Sequence, residues 1–145
     1  MTTPGFESLP GTALPEGLFT ITDDDERRVA QVVGAYPTGS DNAHPLWAYV
    51  ATQRGIGISV ADICKLADFD VNDGPMLGSS HLEYHGPLRP GVNYRVTGKV
   101  LGIERKHGSS GTFDVLEFRE ELHAPDGQTV CASTSTYILP RRDQS

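Results

Sequence analysis

A short polar segment in the first third of the chain carries residue types that general acid-base chemistry requires. Asp41, Asn42 and His44 lie within the stretch TGSDNAHP at 38–45. A carboxylate and an imidazole about one water molecule apart can orient water, deprotonate it and return a proton. The same residues fit an Asx turn at Asp41 and Asn42, with His44 capping a helix that begins at Pro45. Both interpretations remain open from the residue types alone.

A second candidate is the glycine-rich sequence Gly55-Ile56-Gly57, which precedes a segment predicted to be helical. Free backbone amides at the start of a helix favour negative charge. Glycine also lets a ligand approach the backbone closely. The three residues could therefore hold an anionic oxygen. They could equally form a connector between two helices that needs only a positive φ.

Three residues that could ligate a metal alternate along one predicted strand. His81, Glu83 and His85 share a face because side chains alternate across a strand. Two imidazoles and a carboxylate could bind zinc. However, no further ligand is spaced nearby, so the pattern favours an ordinary polar sheet face and no metal is predicted. The two cysteines, Cys64 and Cys131, have neither metal-ligand spacing nor the number a disulfide framework requires.

Length and composition indicate one ordinary globular domain. The chain has 145 residues, 37% of them hydrophobic, and a formal net charge of -7. An acidic chain of this kind lacks the basic footprint of a nucleic-acid-binding protein. We find no signal-peptide pattern and no apolar run of the ~20 residues that span a bilayer, so we predict a cytoplasmic protein without a membrane partner. We expect an irregular arm at 1–17, one domain at 18–141 and a polar tail at 142–145.

The order of secondary-structure signals predicts an α+β fold. Thr22 begins a helix, a short helix follows Pro45, and Ser59 begins an apolar helix that runs to Phe69. From Met76 onward, four β-rich segments are separated by the turns GPLRPG, HGSSG and APDG. Three hairpin-like connections in a row predict an antiparallel meander. Because such a sheet needs a helix over one face, we expect it to wrap around the 59–69 helix.

This arrangement resembles the hot-dog fold and, within it, the MaoC-like or fatty acid synthase type I-like dehydratases, relatives of (R)-specific enoyl-CoA hydratases. The stretch SSHLEYHGPLRPGVNYRVTGKV at 79–100 resembles the family pattern of a His-bearing strand, Pro-Leu, a Gly turn and a long strand. The family's catalytic loop reads Asp-x-Asn-Pro-x-His. The matching region, SDNAHP at 40–45, has the same residue types, but His44 follows Asp41 by three positions rather than five.

The resemblance implies a hydro-lyase, an enoyl-CoA hydratase or 3-hydroxyacyl dehydratase acting on a CoA or acyl-carrier-protein thioester. His44 would then be the base and Asp41 would orient the water or relay the proton. The amides of 55–57 would hold the enolate-like oxygen. Two alternatives remain: a non-catalytic hot-dog subunit that supports an active partner, and an acyl-CoA thioesterase using Asp62 or Asp68.

The resemblance also implies how the substrate and partner would be bound. No separate cofactor is expected, because CoA or phosphopantetheine would be part of the substrate. Substrate contacts are predicted for Asn42, His81, Arg89, Arg95 and Lys99, with the cations meeting phosphates through charge-assisted hydrogen bonds. An exposed sheet edge would be paired in a homodimer, or in a heterodimer with another hot-dog subunit.

Overall fold

The computed structural model describes residues 9–32, 47–109 and 111–141. Its sheet has five antiparallel strands: β1 (Ala13–Thr20), β2 (Met76–Tyr84), β3 (Asn93–Gly108), β4 (Gly111–His123) and β5 (Thr129–Arg141). Its helices are α1 (Asp23–Val32), α2 (Trp47–Gly55) and α3 (Val60–Leu66), followed by a 3-10 turn at Val71–Asp73. The predicted α+β class and the four β-rich segments are confirmed.

Two helix starts follow the predicted capping chemistry. The Asp25 amide donates to Thr22 Oγ1 at 3.0 Å, and the Asp62 amide donates to Ser59 Oγ at 3.1 Å. Each hydroxyl thus satisfies one of the amides that a helix leaves free at its N-terminus. The α1 helix is joined to α2 by a 2.6 Å hydrogen bond from Trp47 Nε1 to Glu26 Oε2.

The strand order is β1-β3-β4-β5-β2, which corrects the predicted meander. Only β3, β4 and β5 follow one another through hairpins. The β2 strand pairs with β5, with Ser80 opposite Ser135, while β1 occupies the edge of β3. The GPLRPG connection therefore runs from the β2 edge past β5 and β4 to β3, which lies beside the opposite edge strand. Its turn residues predict a change of chain direction but carry no information about which strand becomes the neighbour.

The β1 strand overlaps the segment predicted to be irregular. It begins at Ala13, so the last five residues of the segment predicted to be irregular, 13–17, belong to β1. The Gly17 backbone pairs with Val96 of β3, after an irregularity in register that follows Leu14. This irregularity lies at Pro15, a residue that cannot donate to a strand ladder. The described part of the arm is therefore attached to the sheet.

The helix that the sheet wraps is α2, rather than the predicted 59–69 helix. The α2 helix approaches all five strands, whereas the closest neighbour of α3 among the elements is the 3-10 turn. The side of α2 that faces the core carries Trp47 at its start and then small residues, with Ala48, Ala51 and Thr52 fully buried. Their spacing of three and four places them on one face, and their size lets the helix axis come close to the sheet.

A buried ion cluster joins the end of β5 to α3. Asp114 is fully buried and accepts hydrogen bonds from Arg105 Nε at 2.8 Å and Arg141 Nε at 2.7 Å. Arg141 also donates to the carbonyl oxygens of Ala67 and Asp68, and its guanidinium lies over the Phe69 ring. The carboxylate on β4 thus links β3 and β5, and Arg141 extends the link to the C-terminal end of α3.

Candidate functional site

The predicted catalytic pair and its neighbour, Asp41, Asn42 and His44, lie outside the described residues. They precede the first residue of α2, Trp47, by three to six positions along the chain. Their assignment stays a prediction. What the structure adds is the position of the helix they lead into, since α2 is the helix that the sheet wraps.

The structure gives Gly55-Ile56-Gly57 a packing role and engages its amides elsewhere. The segment begins with the last residue of α2, so it lies at the end of the wrapped helix rather than before it. The Gly57 amide donates to the Pro15 carbonyl of β1 at 2.9 Å, and the Ile56 amide points to Thr52 O at 3.4 Å. A Cβ on Gly55 would lie 2.6 Å from Val96 Cγ2. The glycines permit close contact with β1, and neither Gly55 nor Gly57 has a positive φ.

Several predicted substrate-binding residues lie on the sheet face opposite α2. In β3, Tyr94, Val96 and Val100 are buried in the core, so the alternating positions Arg95 and Lys99 face outward. Both are exposed, and Arg95 Nη1 pairs with Glu16 Oε1 at 2.7 Å. The placement does not bring these two cations to the α2 side of the sheet.

The outward face of β2 carries the predicted His81, which is exposed and lies 4.0 Å from Glu83 Oε1. Glu83 is held by Arg119, whose Nη2 donates to it at 2.9 Å. This hydrogen bond and the charge of Arg119 lower the pKa of Glu83. Arg89 is exposed in the connection between β2 and β3. Among residues 9–32, 47–109 and 111–141, no group of three or more His, Cys, Asp or Glu side chains is placed to hold a metal ion.

A buried carboxyl that sequence reasoning missed lies beneath α2. Glu120 of β4 is 0% exposed and stands opposite Gly98 of β3 and Ser133 of β5. Gln53 Nε2 of α2 donates to Glu120 Oε1 at 2.7 Å. Glu120 Oε2 is buried and has no hydrogen-bond partner among the described residues. The signal was present in the sequence: Glu120 occupies the same alternation as Phe118 and Leu122, the inward positions of β4.

Burial raises the pKa of Glu120 to about 8, and the Gln53 hydrogen bond only partly opposes this. The cause is the cost of placing a negative charge where water cannot solvate it. Nearby groups shift in the same direction: burial and the neighbouring Glu120 raise the pKa of Tyr137 to about 12. At neutral pH the carboxyl is therefore mostly a neutral acid, able to donate one hydrogen bond and to accept others.

Buried hydroxyl groups of β5 lie on the same inward face of the sheet as this acid. Ser133 Oγ donates to Thr52 Oγ1 at 3.1 Å, and Thr52 Oγ1 in turn lies 2.9 Å from the Ala48 carbonyl. Ser135 is also buried and shares a hydrogen bond of 3.2 Å with Ser80 of the β2 edge. A polar track thus runs from the middle of the sheet beneath α2 to its β2 edge.

Solved structures with the same architecture place this arrangement in a known fold. The C-terminally truncated HadBC (3R-hydroxyacyl-ACP dehydratase) complex from Mycobacterium tuberculosis superposes with a TM-score of 0.68 at 14% identity, covering 90% of this chain and 96% of that chain. A MaoC-like dehydratase from Rhodospirillum rubrum gives 0.62 at 17% identity, covering 94% and 96%. A hypothetical thioesterase from Streptococcus pneumoniae, mutated at one threonine, gives 0.55 at 11% identity, covering 90% and 84%.

The chain has the hot-dog fold. The resemblance to MaoC-like dehydratases is thereby confirmed as a likeness of fold, and hot-dog proteins of the thioesterase type share it. The sequence matches no family model and no curated protein. Within the part of this hot-dog chain that the structure describes, each helix is too short or too polar to cross a bilayer.

Proposed function

We propose that this hot-dog protein hydrates 2-enoyl thioesters, or dehydrates the corresponding 3-hydroxyacyl thioesters, attached to CoA or to an acyl carrier protein. The observation that carries the proposal is the position of α2. It is the helix wrapped by the sheet, and its first residue, Trp47, comes three positions after His44 along the chain. The likeness to two dehydratase structures, with higher TM-scores than the thioesterase, supports the same reaction.

In the proposed reaction His44 is the base that takes a proton from water. Asp41 orients the water or relays the proton, and Asn42 contacts the substrate. Adding water across a conjugated thioester also requires donors at the thioester oxygen, where negative charge develops. The amides of Ile56 and Gly57 do not fill this role, because they are engaged within the protein. CoA or phosphopantetheine enters as part of the substrate, and no separate cofactor is required.

We further propose that the protein works as a dimer joined along β2. This strand pairs with β5 on one side only and forms an edge of the sheet. It exposes apolar side chains, with Met76 53%, Leu77 52% and Tyr84 51% exposed. Unpaired edges that carry exposed apolar residues favour strand pairing with another chain. HadBC is itself a complex of two chains, which supports a hot-dog partner or a second copy here.

The direct test follows the loss of conjugated absorbance when purified protein is mixed with trans-2-butenoyl-CoA. We expect turnover by the wild type and a loss of a hundredfold or more in His44→Ala, the usual scale for a general base. His107→Ala is the matched control, since His107 is exposed near the β3–β4 turn. Absence of turnover, both alone and with a hot-dog partner, would refute the hydratase proposal.

The second candidate is a non-catalytic subunit, which the two-chain composition of HadBC favours. In that case an active complex with a partner would retain nearly full turnover after His44→Ala. The thioesterase alternative receives less support from its candidate carboxylates. Asp62 lies on α3, exposed and 3.6 Å from Lys65, and Asp68 follows the same helix with a positive φ of 54°. Release of free thiol from butanoyl-CoA would nevertheless identify that activity.

A further inference from the structure

Glu120 has a buried carboxyl oxygen for which the protein supplies no hydrogen-bond partner among the described residues. Its Oε1 is taken by Gln53, and its buried Oε2 is unpartnered. A buried polar group without a partner lowers stability compared with an apolar residue of the same size. Phe118 and Leu122, the inward neighbours along β4, show that apolar residues fill the adjacent positions. The core therefore gains nothing from an acid at this place.

The polar neighbours of Glu120 are satisfied without it. Ser133, directly opposite on β5, donates to Thr52, and Thr52 lies within hydrogen-bond distance of the Ala48 and Tyr49 carbonyls. These hydroxyls form a chain of hydrogen bonds that runs from Ser133 through Thr52 to the backbone of α2. They leave Oε2 of Glu120 available for a group that the fold does not supply.

The surroundings of the carboxyl define the chemistry of its ligand. No described cation forms an ion pair with Glu120 within 4.0 Å, so the site suits a neutral oxygen rather than a free carboxylate or phosphate. Gly98 lies opposite on β3, and a Cβ there would lie 3.1 Å from Leu14 Cδ1 and 3.2 Å from Ile56 Cδ1, so apolar side chains pack over that position. Gln53 is half-buried, so the hydrogen-bonded pair reaches from the core toward solvent beside α2. A neutral acid in such a position resembles the donors that hold developing negative charge in some enzymes.

We propose that Glu120 donates a hydrogen bond from Oε2 to an oxygen of the reacting acyl group, either the thioester carbonyl or the 3-hydroxyl. The inference rests on the proposed function, because it takes an acyl thioester as the ligand. It assigns to a side chain the oxygen-holding task that the engaged amides of Ile56 and Gly57 do not perform. Gln53 is the positioning residue, since its carboxamide fixes the other carboxyl oxygen.

Three probes distinguish the two possible oxygens by calorimetric titration: butanoyl-CoA, its 3-hydroxy derivative, and the thioether S-butyl-CoA, which lacks the carbonyl. Glu120→Met removes the donor at nearly constant size, whereas Glu120→Gln keeps an N–H donor. We expect Glu120→Met to weaken binding about tenfold where a probe carries the recognised oxygen, with Glu120→Gln within about threefold of wild type. Glu117→Gln, exposed on the same strand, is the control.

The pattern across probes identifies the acceptor. Weaker binding of both carbonyl probes, with S-butyl-CoA unchanged, assigns the hydrogen bond to the thioester carbonyl. Weaker binding of the hydroxy derivative alone assigns it to the 3-hydroxyl. If Glu120→Met weakens the binding of all three probes equally, or weakens none of them, the inference is overturned and the proposed reaction is unaffected. If the wild type binds none of the probes, the thioester function and the inference fail together.

An infrared measurement on the wild type tests the same contact without depending on how a variant folds. The carbonyl stretch of the protonated Glu120 carboxyl, identified by its absence in Glu120→Gln, should shift when a carbonyl probe or the hydroxy derivative binds. If Glu120→Gln does not fold, isotope labelling of glutamate carboxyls identifies the band instead. A protonated-carboxyl band that stays unchanged with every bound probe, or no such band at neutral pH, overturns the inference.

Discussion

Replacing Glu120 with glutamine should change how the stability of the protein depends on pH. Raising the pKa of this carboxyl from 4.5 to about 8 means that the folded protein holds a proton that the unfolded chain releases. Between these two pH values the free energy of unfolding therefore falls as pH rises, by about 1.4 kcal/mol per pH unit. Above pH 8 both states are ionised and this contribution no longer changes.

The variant removes that slope while keeping the shape of the side chain. Glutamine is nearly isosteric with glutamate, and its carbonyl oxygen can still accept from Gln53. Relative to wild type, Glu120→Gln should gain about 3 kcal/mol in the free energy of unfolding between pH 5 and pH 7. Summed from low pH up to pH 8, this gain in the free energy of unfolding is at most roughly 5 kcal/mol, because the rise in the pKa of Glu120 from 4.5 to about 8 sets the limit.

Urea denaturation at pH 5, 6, 7 and 8 measures this effect. The single tryptophan, Trp47, is buried against α1 and reports the transition by fluorescence. All other titrating groups are common to the two proteins, so the difference between their curves isolates Glu120. Glu117→Gln, on the exposed side of β4, should remain parallel to wild type. Parallel curves for wild type and Glu120→Gln would refute the view that this carboxyl is neutral in the folded protein.

Three further changes test the packing described above. Asp114→Ala should lower the free energy of unfolding by about 3 to 5 kcal/mol in urea denaturation, because Arg105 and Arg141 lose a buried partner. A loss under about 1 kcal/mol would contradict a stabilising role for the buried ion cluster. Gly17→Ala should lower the melting temperature strongly, because its Cβ would overlap the Gly55 carbonyl. Gly102→Ala is the control and should leave the melting temperature nearly unchanged, since the space around Gly102 is open. Equal shifts for the two variants would argue against the close approach of β1 to the end of α2. Ser59→Ala should cost about 1 kcal/mol through the lost cap at Asp62, and an unchanged transition midpoint would mean that the cap contributes nothing.

The strands and helix starts could be predicted from local sequence because the signals are local. Alternating burial in β4 and the hydroxyl caps at Thr22 and Ser59 depend on residues within a few positions of each other. The identity of the wrapped helix could not be predicted in the same way. Apolar stripes favour the 59–69 segment, but α2 approaches the sheet through Ala48 and Ala51, whose small size is the deciding property.

The pairing of β2 and the site around Glu120 required three-dimensional information. Strand order depends on which edge is free, and β1 takes the edge of β3 from a distant part of the sequence. A glutamate in the inward alternation of β4 was visible, but its relation to Gln53 spans 67 residues. Conversely, the prediction for Asp41 and His44 came entirely from residue types and resemblance, and it remains a prediction.

The crossing of β1 over the end of α2 couples three separate positions in the sequence. At 17 and 57 side chains are excluded by the backbone of the opposite segment, and at 55 by Val96 and Phe19, which pack against the same end of the helix. Across related chains, glycine at these positions should therefore be kept or lost as a set. A relative with a larger residue at only one of the three positions would have to hold the strand and the helix further apart there. An alignment of relatives would therefore show which of them have changed this geometry.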